Sequence, residues 1–242
     1  MDELQSSLGY RYYLDTVFRR QETFGYRRPD IAPAPFFKTY PQAEKIALPK
    51  PVPAADADLW QVLLQRRSCR RYSGSSIGME DLALLLWACQ GSTARSGSYL
   101  LRTAPSAGAL YPLETYVAVR RTEELEEGLY HFDVAGFQLE KLRCEAVGEE
   151  LAEAALGQRF IAAAAVTFVW TAVFRRNMCK YGHRGMRYIA MDAGHACQNL
   201  LLAAEALGRG ACPVAAFFDE EINRVLAVDG EEESALYLCA VG

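Results

Sequence analysis

Arg66-Arg67-Ser68-Cys69-Arg70-Arg71-Tyr72 places four guanidiniums and a hydroxyl within seven residues. The stretch follows an amphipathic segment running from Asp56 to Gln65. Arginine presents a rigid fork of donors that matches phosphate oxygens two at a time, and serine adds a short directional donor. The formal net charge is −4, so positive charge concentrated here does nothing for solubility. The stretch therefore suits a clamp for one phosphate of a bound cofactor. Taken alone it reads more simply as a solvated helix end, since cations suit a helix C-terminus.

The 242 residues can form one large or two small domains with a substantial core. Hydrophobic residues make up 51% and charged residues 23%, an ordinary globular balance. The negative balance argues against a general nucleic-acid or anionic-membrane surface. Seven cysteines are scattered without a CxxC pair and there are only three histidines, so no metal site is expected. The opening residues MDELQSSLGYRYYLD are polar and acidic, unlike a signal peptide. The longest apolar stretch, Ile161 to Phe174, is shorter than the ~20 residues a membrane span needs. A cytoplasmic protein with reduced thiols is the expectation.

Residues 1–55 differ from the rest. Seven prolines fall between Pro29 and Pro53, which predicts an extended arm wrapped over a surface and anchored by Phe36, Phe37 and Tyr40. From residue 56 to 242 the pattern is that of one α+β domain. Leu59, Trp60, Leu63 and Leu64 recur at helical spacing, and a second helix is expected from Met79 to Gln90. Strands are expected over Glu114 to Val119, in a hairpin between Gly128 and Leu139, from Ala165, and over Leu236 to Val241. A weak helix over 145–158, a long one from Met186 to Leu207 and a short one over Phe218 to Leu226 complete the reading. Gly91 to Ser98 reads as a loop, and the residues after Arg175-Arg176 as a polar link.

Three further stretches can carry chemistry. Pro105 to Pro112, small residues bracketed by prolines, is a side-chain-poor loop whose backbone can lie flat against a planar ring, or is simply a tight loop before a strand. Lys180-Tyr181, within a segment that also holds His183, Arg184 and Arg187, can move protons, since a desolvated lysine and a neighbouring phenol both exchange them. The plainer alternative is a solvated helix entry with Arg184 and Arg187 in surface pairs. Gly208 to Phe217, a run of glycines and small side chains, exposes backbone donors of the kind a flavin N5 accepts from, or else merely connects a helix to a strand. Cys212 has no base nearby in sequence and is not a nucleophile candidate. His195, inside an apolar helix, reads as a satisfied core histidine.

In this order, PFFKTYP (35–41), RRSCRRY (66–72), PSAGALYPLETYV (105–117), GLYHF (128–132), KYGHRGMRY (180–188), DAGHACQNLLLAAEALG (192–208) and FFDEEINRVL (217–226) resemble the nitroreductase-like FMN flavoproteins. The resemblance extends to their SagB-type dehydrogenase branch, which includes azoline oxidases. It implies a mixed α+β sandwich with helices flanking the sheet, forming a homodimer with FMN at the subunit interface. Arg66, Arg67, Ser68 and Arg70 would hold the FMN phosphate and ribityl chain. Pro105, Ser106, Ala107 and Gly108 would cover the ring from the partner subunit. Pro213, Val214, Ala215 and Ala216 would face N5, and Lys180 and Tyr181 would serve as the acid–base pair. Many relatives have Gly-Gly where this chain has Ala215-Ala216, so a positive φ at either would be costly. The implied chemistry is hydride transfer between a C–H bond of a small-molecule or peptide substrate and flavin N5. An NAD(P)H-driven nitro or quinone reductase, and a non-catalytic flavin-binding scaffold, are the alternatives.

Overall fold

A computed structural model describes residues 3–20, 30–53, 57–97 and 99–242. The strands are Glu44–Ala47 (β1), Ser92–Ser96 (β2), Tyr99–Arg102 (β3), Leu113–Val119 (β4), Gly128–Asp133 (β5), Gln138–Arg143 (β6), Val166–Val173 (β7), Ala211–Val214 (β8) and Glu233–Val241 (β9). The helices are Glu3–Ser6 (α1), Leu8–Asp15 (α2), Leu59–Gln65 (α3), Met79–Gln90 (α4), Gly148–Ala154 (α5), Phe160–Ala163 (α6), Phe174–Tyr181 (α7), Gly185–Ala206 (α8) and Asp219–Leu226 (α9). Seven strands form one sheet in the order β1-β6-β5-β4-β7-β9-β8, and β2 and β3 form a separate ribbon. Every pairing in the large sheet is antiparallel, and parallel contacts are confined to isolated bridges such as Ser68 to Ala211.

The central strands β4 and β7 are buried on both faces, so apolar residues fill most positions of both faces instead of alternating with exposed polar ones. Val117 and Val119 of β4, with Phe168 and Trp170 of β7, enter the layer shared with α4 and α8. Tyr116 and Ala118 of β4 and Val169 of β7 enter the opposite layer with α5, α6 and α9. The period of two along each strand sends neighbours to opposite cores. Helix α4 buries Leu82, Leu85, Leu86 and Cys89 at helical spacing, and α8 lies beside it with Ile189, Ala193, Ala196, Cys197 and Leu200 inward. The small residues on that face of α8 let the two helices and the sheet approach closely.

Several sequence expectations change. Residues 1–55 are not extended throughout, since Ser7 caps α2 by accepting a hydrogen bond from the Tyr10 amide. Asp56 lies outside the described residues. The helical repeat after it does mark a helix, yet Leu59, Trp60, Leu63 and Leu64 are 54%, 75%, 44% and 67% exposed, and Val62 alone in α3 is buried. Residues 92–96 are a strand rather than a loop, because the ribbon is exposed and so carries no alternation. The supposed polar link is α7, with Arg176 and Asn177 turned inward. His195 is exposed rather than in the core, because 192, 193, 196 and 197 form the buried stripe of α8.

A buried charge network fastens the arm and α7 to the sheet. Glu114 of β4 lies 3.1 Å from His131 Nε2 and 2.5 Å from Arg176 Nη2, and Glu140 lies 2.9 Å from His131 Nδ1. With a carboxylate at each ring nitrogen, His131 serves as a double donor, the imidazolium. From the arm, the Tyr40 amide donates to Glu140, Lys38 Nζ meets Glu233 at 2.6 Å, and the Pro35 carbonyl accepts from Arg176 Nε at 2.5 Å. Burial opposes both charges of the Glu114–His131 pair, but their reciprocal hydrogen bond and attraction outweigh it. Arg176 and Arg102 help hold Glu114 at about 2, and Glu140 helps hold His131 above its ordinary value.

The raised imidazolium stabilises the fold fully below its unfolded value of 6.5, and that contribution is lost as pH rises through the folded value. His131→Gln should therefore lower the melting temperature most near pH 6 and progressively less into the alkaline range. At acid pH the deficit should correspond to roughly 3–5 kcal/mol, the usual cost of leaving a buried charge unpaired. Thermal melts across this range check it, and a deficit independent of pH would contradict the charged assignment.

Candidate functional site

Two groups of the expected residues assemble, at different ends of the sheet. The first is the loop before β4. Ser106 Oγ donates to Asp192 of α8 at 2.6 Å and accepts from the Tyr111 amide at 2.9 Å, which draws the loop into a tight turn. Gly108, Ala109 and Tyr111 all take positive φ, 65°, 55° and 43°, a conformation only glycine adopts freely. A Cβ on Gly108 would stand 2.6 Å from Tyr181 Oη and 2.7 Å from Lys180 Nζ. The loop backbone thus touches the tips of both candidate acid–base side chains.

Lys180 and Tyr181 close the last turn of α7. Gly182 ends it at φ 55°, so the chain can turn directly into α8. Lys180 is exposed and Tyr181 half-buried, with the Tyr181 ring edge-on to Tyr188 at 4.9 Å and 5.3 Å from Lys180 Nζ. Asp192, 5% exposed, lies beneath the loop. Burial pushes its carboxyl up, partly offset by the Ser106 hydroxyl and the Ala107 amide. This corner therefore offers a flat backbone, a lysine Nζ and a tyrosine Oη facing one space, with the Asp192 carboxyl bracing the loop from behind.

The second group surrounds β8. Ser68 bridges Ala211, and the Cys69 amide donates to the Ala211 carbonyl at 2.8 Å, which lays the arginine stretch along the open edge of the sheet. Arg67 turns back on the carbonyls of Leu64 and Arg66 at 3.0 and 2.7 Å, and Arg70 stands 5.6 Å from the Phe160 ring. Among the described residues no carboxylate pairs with Arg66, Arg67, Arg70 or Arg71. A run of cations without an internal counter-ion suits a phosphate. Pro213 and Val214 lie in β8, and Ala215 and Ala216 follow it exposed. Neither alanine has positive φ, so the absence of Gly-Gly strains nothing here.

Strand register separates the groups. Leu113 pairs with Ala172, and the Val173 amide donates to the Pro112 carbonyl, so the loop and α7 sit at one end of β7. Ala211 pairs with Val241, which pairs with Val166 at the other end. At ~3.3 Å per residue, β7 spans roughly 23 Å between those ends. Residues 213–216 run from the second end towards the middle, since Val214 pairs with Leu238 and Leu238 with Val169.

The sequence reading missed Asp192, Arg176 and the Glu114–His131–Glu140 cluster. Asp192 had a signal, an acidic residue at a buried position of an apolar helical repeat. Glu114, His131 and Glu140 had a weaker one, charges inside apolar strands. Among the described residues no group of three potential ligands could hold a metal ion, and no helix is long and apolar enough to cross a membrane.

Comparison with known proteins bears on the family and the fold. Residues 63–242 match the model of the nitroreductase family. MJ1384 of Methanocaldococcus jannaschii, whose name provisionally assigns it to the nitroreductases, is 42% identical over 184 residues, 76% of this chain and 90% of that protein. The crystal structure of an Anabaena variabilis protein with the same provisional assignment superposes with a TM-score of 0.70 at 30% identity, covering 84% of this chain and 42% of that one. A Desulfovibrio desulfuricans protein solved with FMN shares the fold at 23% identity and a TM-score of 0.53, over 76% of this chain and 84% of that one. The trifolitoxin-processing protein TfxB of Rhizobium leguminosarum bv. trifolii is 30% identical over 146 residues, 58% of this chain and 39% of that protein.

Gly108→Ala should separate folding from function at the loop corner. The positive φ costs about 1 kcal/mol with alanine, while the added methyl pushes the Lys180 and Tyr181 tips aside. A small loss in thermal stability with a tenfold or larger loss of turnover is expected. Turnover equal to that of the parent would show that the contact is idle.

Proposed function

The chain belongs to the nitroreductase family of oxidoreductases, and on that basis we propose that it is an FMN-dependent enzyme of SagB type acting on a peptide azoline or similar heterocycle. The observation that carries this reading is the convergence of Gly108, Lys180 and Tyr181 at one corner. Likeness to the trifolitoxin-processing protein TfxB supports a role in processing a natural product. FMN, when bound, would supply the two-electron acceptor for hydride from the substrate C–H bond. Arg66, Ser68 and Arg70 hold its phosphate and ribityl chain, and Arg67 joins them by swinging off its own backbone. Pro213, Val214, Ala215 and Ala216 offer backbone towards N5. Pro105, Ser106, Ala107 and Gly108 would cover the ring and exclude water from that face. Lys180 as the free amine, or Tyr181 as the phenolate, would take the proton that leaves the substrate with the hydride.

The clamp and the loop stand at opposite ends of β7, so the complete site is assigned to a homodimer in which each copy brings one half. The apolar face of α3, with Met191 of the adjacent α8 at 56% exposure, supports this assignment, because such a patch on a soluble surface marks an interface. It also accounts for a helical repeat that finds no core within its own chain.

A second reading, reduction of nitro compounds or quinones by NAD(P)H, is favoured by the likeness to the Methanocaldococcus jannaschii protein. Rapid bleaching of bound flavin by NADH or NADPH under nitrogen would select it. Slow bleaching, with prompt bleaching by a synthetic thiazoline peptide, selects the azoline oxidase.

Arg66→Ala with Arg70→Ala should release FMN from a dimer that stays folded, while Trp60→Glu should give a monomer that also lacks FMN. Flavin absorbance and sedimentation read both, and stoichiometric flavin in the double variant refutes the clamp. In the holoenzyme, Lys180→Ala and Tyr181→Phe should both keep FMN, and the variant that lacks the proton acceptor should lose 100-fold or more in turnover of the thiazoline peptide, in line with the ~10²–10⁴ that proton transfer contributes.

A further inference from the structure

The family match begins at residue 63, yet the segment before it grips the Lys180–Tyr181 element from both sides. On one side α2 sets its C-terminal end against the start of α8. Arg184 Nη1 donates to the Thr16 carbonyl and Arg187 Nη2 to the Tyr13 carbonyl, while Arg187 Nε donates to Thr16 Oγ1 at 2.7 Å. Carbonyls at a helix C-terminus lack intrahelical donors and carry partial negative charge, so two guanidiniums complete that end. Tyr12 Oη donates to the His183 carbonyl at 3.1 Å, and the rings of Phe18 and Tyr13 lie 4.4 and 4.5 Å from Arg184 and Arg187. On the other side the Pro35 carbonyl accepts from Arg176, which also pairs with Glu114. Lys180 and Tyr181 lie between these two anchor points.

Arg184 links the arm to the reacting pair. Its Nε donates to Tyr188 Oη at 2.7 Å, and the Tyr188 ring packs edge-on against Tyr181 at 4.9 Å. Tyr181 Oη in turn faces the Gly108 backbone. We propose that the N-terminal segment supports the reaction centre and that Arg184 is a positioning residue, transmitting the grip of Thr16 and Phe18 through Tyr188 to Tyr181. The proposal rests on the acid–base reading of Lys180 and Tyr181. Arg184 bridges two acceptors at an angle and stacks on a ring, which a lysine point charge cannot do at once. Displacement of a reacting group by about 1 Å can lower turnover 100-fold.

The test uses the full-length holoenzyme with Arg184→Ala, Arg184→Lys and Phe18→Ala; Phe18 is 56% exposed, so its removal leaves the core intact. Hydrogen exchange over residues 176–190 and iodoacetamide labelling of half-buried Cys179, both read by peptide mass spectrometry, report how firmly α7 is held. Turnover is followed with a synthetic thiazoline peptide. All three variants should keep FMN, exchange and label several-fold faster, and lose tenfold or more in kcat with a smaller change in KM. Arg184→Lys should fail to restore the parent values. Exchange and labelling equal to the parent in Arg184→Ala overturn the proposal. So does faster exchange with unchanged kcat while Lys180→Ala is inactive. Full turnover in both Lys180→Ala and Tyr181→Phe sinks the acid–base reading instead, and this proposal with it.

Discussion

Arg176 makes the contact on which the arrangement of this chain depends. Its buried guanidinium meets Glu114 in the sheet, the Pro35 carbonyl in the arm and, at 3.4 Å, the Tyr111 carbonyl in the loop. One cation therefore ties α7, β4, the arm and the loop at a single point. Glu114 is in turn held by His131, and His131 by Glu140, so neither carboxylate is left unpaired in the interior. A buried ion pair adds little net stability over an apolar packing of the same volume, but loss of one partner is severe. Its value here is register. The network forms only when the strands, α7 and the arm are seated together, which places Lys180 and Tyr181 under the loop.

The sheet imposes the second constraint. Antiparallel strands hold the arginine stretch at one end of β7 and the loop at the other, and no side chain spans that interval. The homodimer proposed for this chain would let one flavin meet both groups, and it would cover the exposed apolar face of α3. The proposed clamp and the proposed subunit contact would thus be neighbours along the chain, with α3 leading directly into Arg66.

The legible parts of the chain were those that local chemistry dictates. Helix α4 was readable because acidic residues open it, Gly91 ends it, and its apolar repeat is buried where it stands. Strands β4 and β7 were readable from their β-branched and aromatic content. The same logic read α3 as a helix and misjudged what it packs against, since periodicity shows that a face is apolar and not which surface covers it. It placed His195 in the core because an apolar helix surrounds it, although the buried stripe of α8 leaves it outside. The helix at α7 was hidden by two arginines, one of which is buried only because Glu114 waits for it.

By itself, the sequence determined the class of the fold, the order of its main helices and strands, and the family, since propensity, capping and motif order are properties of neighbouring residues. Only the tertiary structure decided that Gly108 meets Lys180 and Tyr181, that Glu114, His131 and Arg176 share one interior, and that the arm holds the start of α8. Those contacts join residues far apart in the chain. They depend on strand register and helix seating, which are set by packing and charge pairing across the whole molecule and leave no periodic trace in any one segment.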